Sequence, residues 1–409
     1  MQERAPLELF FIRHAESVNN LWASIRSRFF QFDKETQWTS QIPFRKPVGQ
    51  MPIQKSGATI EFILKKDQEE RRDHLLSLLR QEEALLRKVK EPVKDPTLSI
   101  HGSIQALALA HHPYLETHFR LWSGSDKGLP KIMVFISPSY RTLLTAEHFV
   151  KALLEKFPGR VCVLVIPSIA ERGSGNTQLP FPDSALPTPE QVKENKQDYG
   201  QPVEELEKRF PDYNFEFLKN LEKSNLDRNS LVDNQTGTSL SPLRSSLQKK
   251  CGWNWWPPKL NEGYGKTEGQ NYEKRVFATS LWLKSLVSQI KKRFNFVFVI
   301  SHGDFLNDLL SSLLSPVSSS SLSILKKESE SESKIMLSHR NASITHFSIS
   351  FGDSPSKPPS SLEDKLYYGP SLLDLANGTT TEKEIQEKWK TEKDASKWIL
   401  RTFASPHFV

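Results

Sequence analysis

Two histidines, two arginines and a glutamate share one sequence context: each follows closely on a short apolar run. Leu-Phe-Phe-Ile leads into Arg13 and His14, Ile-Met-Val-Phe-Ile into Ser137 and Arg141, the run containing Cys162 into Glu171, and Phe-Val-Phe-Val-Ile into Ser301 and His302. A phosphate monoester spreads negative charge over its transferring oxygens, and planar guanidinium forks match those oxygens better than an ammonium group does. That suits Arg13 and Arg141 to phosphate binding. A neutral imidazole is nucleophilic near pH 7, and a phosphohistidine divides one difficult displacement into two easier ones, which makes His14 the candidate nucleophile. The leaving oxygen needs a proton from a carboxyl group kept protonated by burial; Glu171 is the placed candidate, and it would later deprotonate water. His302 would donate to the phosphoryl oxygens. Gly303 would let the backbone approach closely while opening a helix whose N-terminus favours anions.

These groups are far apart in sequence, so only a particular fold can bring them together. The runs at 7–12, 132–136, 161–166 and 296–300, and the alternating stretch 343–349, have the β-branched and aromatic character of buried strands. Helical patterns at 103–119, 142–157 and 272–293 separate most of them. Strands alternating with helices predict an α/β fold: a three-layer α/β/α sandwich with a mainly parallel central sheet, helices on both faces and long insertions. In such a sheet ligands bind beyond the carboxyl ends of the strands, where all five residues would converge.

The expected core spans about 7–352 of the 409 residues, as a single catalytic domain. Four insertions interrupt it: 22–94, whose half at 65–90 reads as an amphipathic helix with an i,i+4 pair of Glu83 and Arg87; 179–201, rich in proline; 223–260; and 311–333, a serine-rich segment expected to be disordered. The stretch 353–409 reads as a helical extension, with a helix-like segment at 382–403 carrying Trp389, Ile399 and Leu400. In the sequence Cys-Gly-Trp-Asn-Trp-Trp-Pro-Pro at 251–258, packing is the favoured role for most of the tryptophans. A net charge of +7 favours anionic partners without requiring nucleic acid. Two cysteines give no disulfide framework, and the apolar run at 7–12 is too short for a signal h-region or a membrane span, so a cytoplasmic protein without membrane association is expected. His111 and His112 have no third ligand at metal spacing, and there is no Walker loop or GxGxxG fingerprint, so no metal, cofactor or nucleotide-driven chemistry is expected.

The same segments resemble the histidine phosphatase superfamily, the group that includes phosphoglycerate mutase. FFIRHAESVNN resembles its RHG-type signature, SPSYRTLLTA the segment supplying a second arginine, SIAER the segment bearing the acid/base glutamate, and VFVISHGDFL the segment with the second histidine. KDPTLSIHGSIQA and HRNASITHFSI resemble two further segments, in the same order along the chain. The resemblance implies that Arg13, Asn20, Arg141, His302 and Gly303 bind phosphate, that His14 is phosphorylated, and that His302 and Glu171 complete the catalytic set. Two departures stand out: Ala15 replaces the glycine of the RHG form, and Glu171 is followed by a glycine- and proline-rich insertion, which leaves Glu16, Glu262 and Glu268 as competing proton donors. The expected activity is hydrolysis of a phosphorylated small molecule or other phosphoester. The alternatives are an intramolecular phosphotransferase of the mutase type, or a binding or scaffold protein that has kept the pocket, with the helical insertion as a surface for a protein partner.

Overall fold

Runs of Val, Ile and Phe without polar interruption belong where both faces of a sheet are covered, and the computed structural model buries them there. It describes residues 6–25, 69–87, 95–123, 129–171, 201–230, 255–256, 270–290, 293–314, 340–351, 370–376, 380–388 and 396–405. Strands β1 (Leu7–Arg13), β2 (Ile132–Ile136), β3 (Val161–Val165), β4 (Phe296–Ser301), β5 (Ile344–Phe351) and β6 (Ser396–Ser405) form one six-stranded sheet in the order β3-β2-β4-β1-β5-β6. The first four are mutually parallel, and β5 and β6 run antiparallel at one side. The central strands β2 and β4 are buried along their whole length.

Side chains alternate across the pleat, and the alternation separates two helical layers. On one face Phe10 and Phe298 stack at 4.9 Å, and Phe298 meets Phe149 and Phe119. On the other, Phe135 meets Trp282, and Phe11 meets Phe347. The helices, in chain order, are α1 (Glu69–Leu86), α2 (Ile100–Ala110), α3 (Pro113–Ser123), α4 (Tyr140–Lys156), α5 (Val203–Arg209), α6 (Glu216–Ser230), α7 (Gln270–Ile290), α8 (Gly303–Leu314), α9 (Leu372–Ala376) and α10 (Glu382–Lys388). α2 packs on α4 with α1 leaning on α2, while α7 packs on α8, α9 and α10. The protein is therefore a three-layer α/β/α sandwich with a mainly parallel sheet.

Two sequence expectations are corrected. The pattern at 103–119 is two helices, α2 and α3, because Pro113 has no N–H and disfavours helical backbone in the residue before it. His112 caps the second helix, its Nδ1 accepting the Tyr114 N–H at 3.2 Å. Among the described residues the segment 382–403 is helical over α10, and from 396 it is β6, because β5 presents an open edge and Trp398 packs against Phe347 from the added strand. The extension 353–409 is thus mixed, not helical. α6 also carries helix into the segment that begins at 223.

The Glu83–Arg87 pair forms on and just beyond α1, and Trp255 and Trp256 are both buried in the core. The proline-rich segment 179–201, nearly all of the serine-rich segment 311–333, Trp253, Glu262 and Glu268 lie outside the described residues. No helix among the described residues is long and apolar enough to cross a membrane.

Candidate active site

Strand register decides what meets at the carboxyl edge of the sheet. Arg13 pairs with Ser301, and Ile136 pairs with both Ile300 and Val165. The residues immediately following β1, β2, β3 and β4 therefore emerge side by side. Backbone bonds hold the level: His14 N–H to Ser301 O at 2.9 Å, Ser137 N–H to Ile300 O at 3.0 Å and Ile166 N–H to Ile136 O at 2.8 Å. The carbonyl of His14 accepts from Ala342, which sits in a left-handed turn at φ 57°.

His14 is 3% exposed, and its Nδ1 lies 2.6 Å from the carbonyl oxygen of Ala15. A carbonyl can only accept, so Nδ1 carries the proton and Nε2 keeps its lone pair. The Nε–H of Arg141 donates to that Nε2 at 3.3 Å, and Nη2 of the same guanidinium donates to His302 Nδ1 at 2.9 Å. With Nδ1 accepting, His302 carries its proton on Nε2 and donates to Ser137 Oγ at 2.7 Å. One guanidinium thus orients both imidazoles, whose centroids stand 5.2 Å apart.

Arg141 itself is fully buried in the first turn of α4. That turn is fixed by Asp95, whose carboxylate accepts the Tyr140 N–H at 3.0 Å, and by Thr145, which accepts from Ala15 N–H and donates to Arg141 O. Arg13 reaches the site along Gly303, and a Cβ at 303 would lie only 3.0 Å from its Cζ and Nε. Glu171 closes the set, with a carboxyl oxygen 3.3 Å from His302 Nδ1 and 3.9 Å from Arg141 Nη2.

Burial dominates the electrostatics. The pKa of His14 is pushed well below the usual imidazole value by burial, then by the charges of Arg141 and Arg13. His302 is depressed for the same reasons, burial first and then Arg141, His14, Arg13 and Arg275. Both imidazoles are therefore neutral at neutral pH. Burial lowers Arg141 to about 10, against the opposing pull of Glu171 and Asp95, so it remains a cation. Burial raises Asp95 to about 6, with Arg141 and the Tyr140 N–H resisting.

The result is a buried cluster of two guanidinium charges, two neutral imidazoles and the Glu171 carboxyl, whose two cations suit it to an anion. His14, Glu171 and His302 also offer nitrogen and oxygen atoms within 4.8 Å of one another, a spacing compatible with a metal ion. The imidazole lone pairs in that cluster already accept from Arg141, and two guanidinium charges oppose a cation there, so the donor set fits an oxyanion better.

Of the residues singled out from sequence, Arg13, His14, Arg141, Glu171, His302 and Gly303 are brought together. Asn20 is engaged in the following turn, its amide oxygen accepting from Ser17 N–H, Ser17 Oγ and Asn341 Nδ2. Glu16 turns toward α2, accepting from Ser99 Oγ at 2.7 Å, while Glu171 stands against His302.

Arg275, unnoticed in the sequence, is fully buried on α7 beneath the Glu171 turn. Its signal was a charge in the apolar stripe of Tyr272, Thr279, Trp282 and Leu286. Asp95 and Thr145 lie inside the quoted segments KDPTLSIHGSIQA and SPSYRTLLTA, but no role was assigned to either, since which backbone groups they bond depends on the packing of distant segments.

No protein-family model and no curated protein matches the chain. Solved structures do align with it over most of their length. Phosphoserine phosphatase from Entamoeba histolytica, in complex with 3-phosphoglyceric acid, is 13% identical over 83% of this chain and 89% of its own, with a TM-score of 0.29. A mycobacterial glucosyl-3-phosphoglycerate phosphatase is 14% identical over 84% and 93%, at 0.29. The ecdysone phosphate phosphatase of Bombix mori, in complex with tungstate, is 12% identical over 83% and 88%, at 0.30. The functional reading rests on the geometry of the site.

Proposed function

We propose that the protein is a phosphomonoester hydrolase of the histidine phosphatase superfamily that works through a phosphohistidine on His14. The observation that carries this reading is the His14 tautomer: Nδ1–H is held by Ala15 O, and Nε2 is a neutral lone pair inside a cationic pocket. Arg13 and Arg141 would bind the phosphoryl oxygens of the substrate, drawing the Arg141 guanidinium off the histidine lone pairs. The Nε2 lone pair then attacks phosphorus, and the bond from phosphorus to the ester oxygen breaks. Glu171 gives its proton to the leaving oxygen, becoming a carboxylate. In the second half that carboxylate takes a proton from water, the water oxygen attacks phosphorus, the N–P bond breaks, and inorganic phosphate leaves. To donate to the phosphoryl oxygens, neutral His302 takes its other tautomer, with Nδ1 protonated and Nε2 accepting from the Ser137 hydroxyl, while the guanidinium pair neutralises charge as it builds.

Incubation with p-nitrophenyl phosphate is expected to release inorganic phosphate, and quenching in alkali is expected to trap a phosphoryl group that is acid-labile and missing from His14→Ala. Full turnover by His14→Ala overturns the mechanism. A panel of sugar phosphates yielding isomerised esters in place of free phosphate overturns the hydrolase reading in favour of a mutase.

A further inference from the structure

We infer that Arg275 is the positioning residue of the acid/base glutamate: from α7 it clamps the turn after β3 so that the Glu171 carboxyl is held against His302. The inference rests on the proposal that Glu171 is the proton donor, and it deepens that proposal by naming what fixes the donor in place.

The turn Pro167–Ile169 and the two residues after it present a row of carbonyls to the interior. A single guanidinium takes three of them: Nη1 donates to Ser168 O and Ala170 O, both at 2.8 Å, and Nη2 donates to Glu171 O at 3.1 Å. Of the other two, Ile169 O accepts from Ser301 Oγ at 2.6 Å and Pro167 O from Ala170 N–H at 3.0 Å. The backbone from 168 to 171 is thereby fixed chiefly by Arg275 and by Ser301, which is adjacent to His302 in sequence, with Thr279 Oγ1 adding a longer 3.5 Å bond to Ser168 O.

The turn supplies little of this restraint itself, its internal bonds being Ile169 N–H to Ile166 O and Ala170 N–H to Pro167 O. Converging carbonyls repel one another unless a donor array sits between them, and a guanidinium fork reaches three where an ammonium would satisfy fewer in fixed directions. Trp256, Tyr272 and Phe305 surround the guanidinium, with its Cζ 5.4, 5.2 and 5.2 Å from their ring centroids. Rings on these sides, by cation–π attraction and packing, leave the fork little freedom to move. Positioning follows directly: Arg275 grips the carbonyl of Glu171 itself, while the Glu171 side chain reaches 3.3 Å from His302 Nδ1.

A merely structural arginine and a positioning arginine differ in how substitution depends on the leaving group. Protonation of the leaving oxygen matters greatly for an alkyl phosphate and little for p-nitrophenyl phosphate, whose leaving phenolate is already stable. The experiment compares kcat/KM of the full-length protein, Arg275→Lys and Arg275→Met on glycerol 2-phosphate and on p-nitrophenyl phosphate, with competitive inhibition by inorganic phosphate and thermal melting measured alongside. Because general-acid catalysis contributes on the order of 100-fold or more, Arg275→Met is expected to lose about 100-fold on the alkyl ester and less than about 10-fold on the aryl ester. Arg275→Lys is expected to show the same selectivity, less strongly, with inhibition by phosphate unchanged in both.

Equal losses on the two esters, or none, overturn the inference while leaving the hydrolase reading intact. So does a chain that cannot fold with lysine at 275, which makes the residue structural. Absence of His14-dependent hydrolysis by the unsubstituted protein is instead the failure of the proposed function.

Discussion

Replacing Gly303 by alanine separates the position of Arg13 from the stability of the fold. Gly303 opens α8, and its φ lies outside the left-handed region, so alanine is compatible with the backbone. In a helix alanine is favoured over glycine by up to about 1 kcal/mol, and stability should hold or rise slightly. The added methyl, however, would sit 3.0 Å from both Cζ and Nε of Arg13 and 3.3 Å from its Cδ. Carbon atoms in ordinary contact are about 3.5–4.0 Å apart, so the guanidinium has to withdraw by roughly half an ångström or more.

A displacement of about one ångström in a positioned group can cost about 100-fold, and removing an oxyanion donor about 100- to 1000-fold. Half that displacement is expected to lower kcat/KM for p-nitrophenyl phosphate by about 10- to 100-fold, with inhibition by inorganic phosphate weakened in parallel. Steady-state kinetics and a thermal melt on the same preparation read both quantities. Native kcat/KM in Gly303→Ala at an unchanged melting temperature refutes the assignment of Arg13 to phosphate binding. A collapse of the melting temperature refutes the claim that the methyl acts only on the guanidinium.

Gly102→Ala is expected to act in the opposite way, on stability first: its Cβ would fall 1.8 Å from the Glu16 carbonyl oxygen, backbone against backbone. α2 would have to back away from the loop after β1, breaking the bond from Ser99 N–H to Glu16 O, at a cost of about 3 kcal/mol or more. A melting temperature within a degree or two of native contradicts this. The pH dependence follows from the depressed histidines. Unfolded His14 and His302 take up protons below their ordinary pKa of 6.5 while the folded pair resists, so the stability they contribute is present above that pH and lost as pH falls. Each histidine adds a slope of up to about 1.4 kcal/mol per pH unit. Urea titrations between about pH 7 and 5 should show a shallower fall in His14→Asn than in the native protein, with equal slopes contradicting the burial argument. By the same shift, the acid limb of kcat/KM should lie below pH 6.5.

Much of the active-site geometry could be read in the sequence because an apolar run followed at once by a reactive residue is a local signal. Strand ends in a parallel sheet share one edge, so Arg13, His14, Arg141, Glu171 and His302 could be brought together without knowing the strand order. The sequence already preferred Glu171, placed after an apolar run, with Glu16 as a competitor; in three dimensions Glu16 bonds Ser99 while Glu171 stands against His302. Asn20, implied as a phosphate ligand by the family resemblance alone, has its amide oxygen held by Ser17 and Asn341, and a phosphate would use the amide nitrogen instead. The segment holding β6 was read as helix on Trp389, Ile399 and Leu400; Ile399 and Leu400 fit either period over so short a span, and the open edge of β5 decided between them.

By itself the sequence determined the chemical types at the strand ends and the α/β alternation that gathers them, since composition and periodicity are properties of neighbouring residues. The tertiary structure decided the rest. The His14 tautomer depends on the Ala15 carbonyl and on an Arg141 contributed from 127 positions away, and the anchoring of Glu171 depends on an Arg275 from a helix 104 positions later. Apart from the neighbouring Ala15 carbonyl, protonation states and donor directions are set by burial and by partners across the fold.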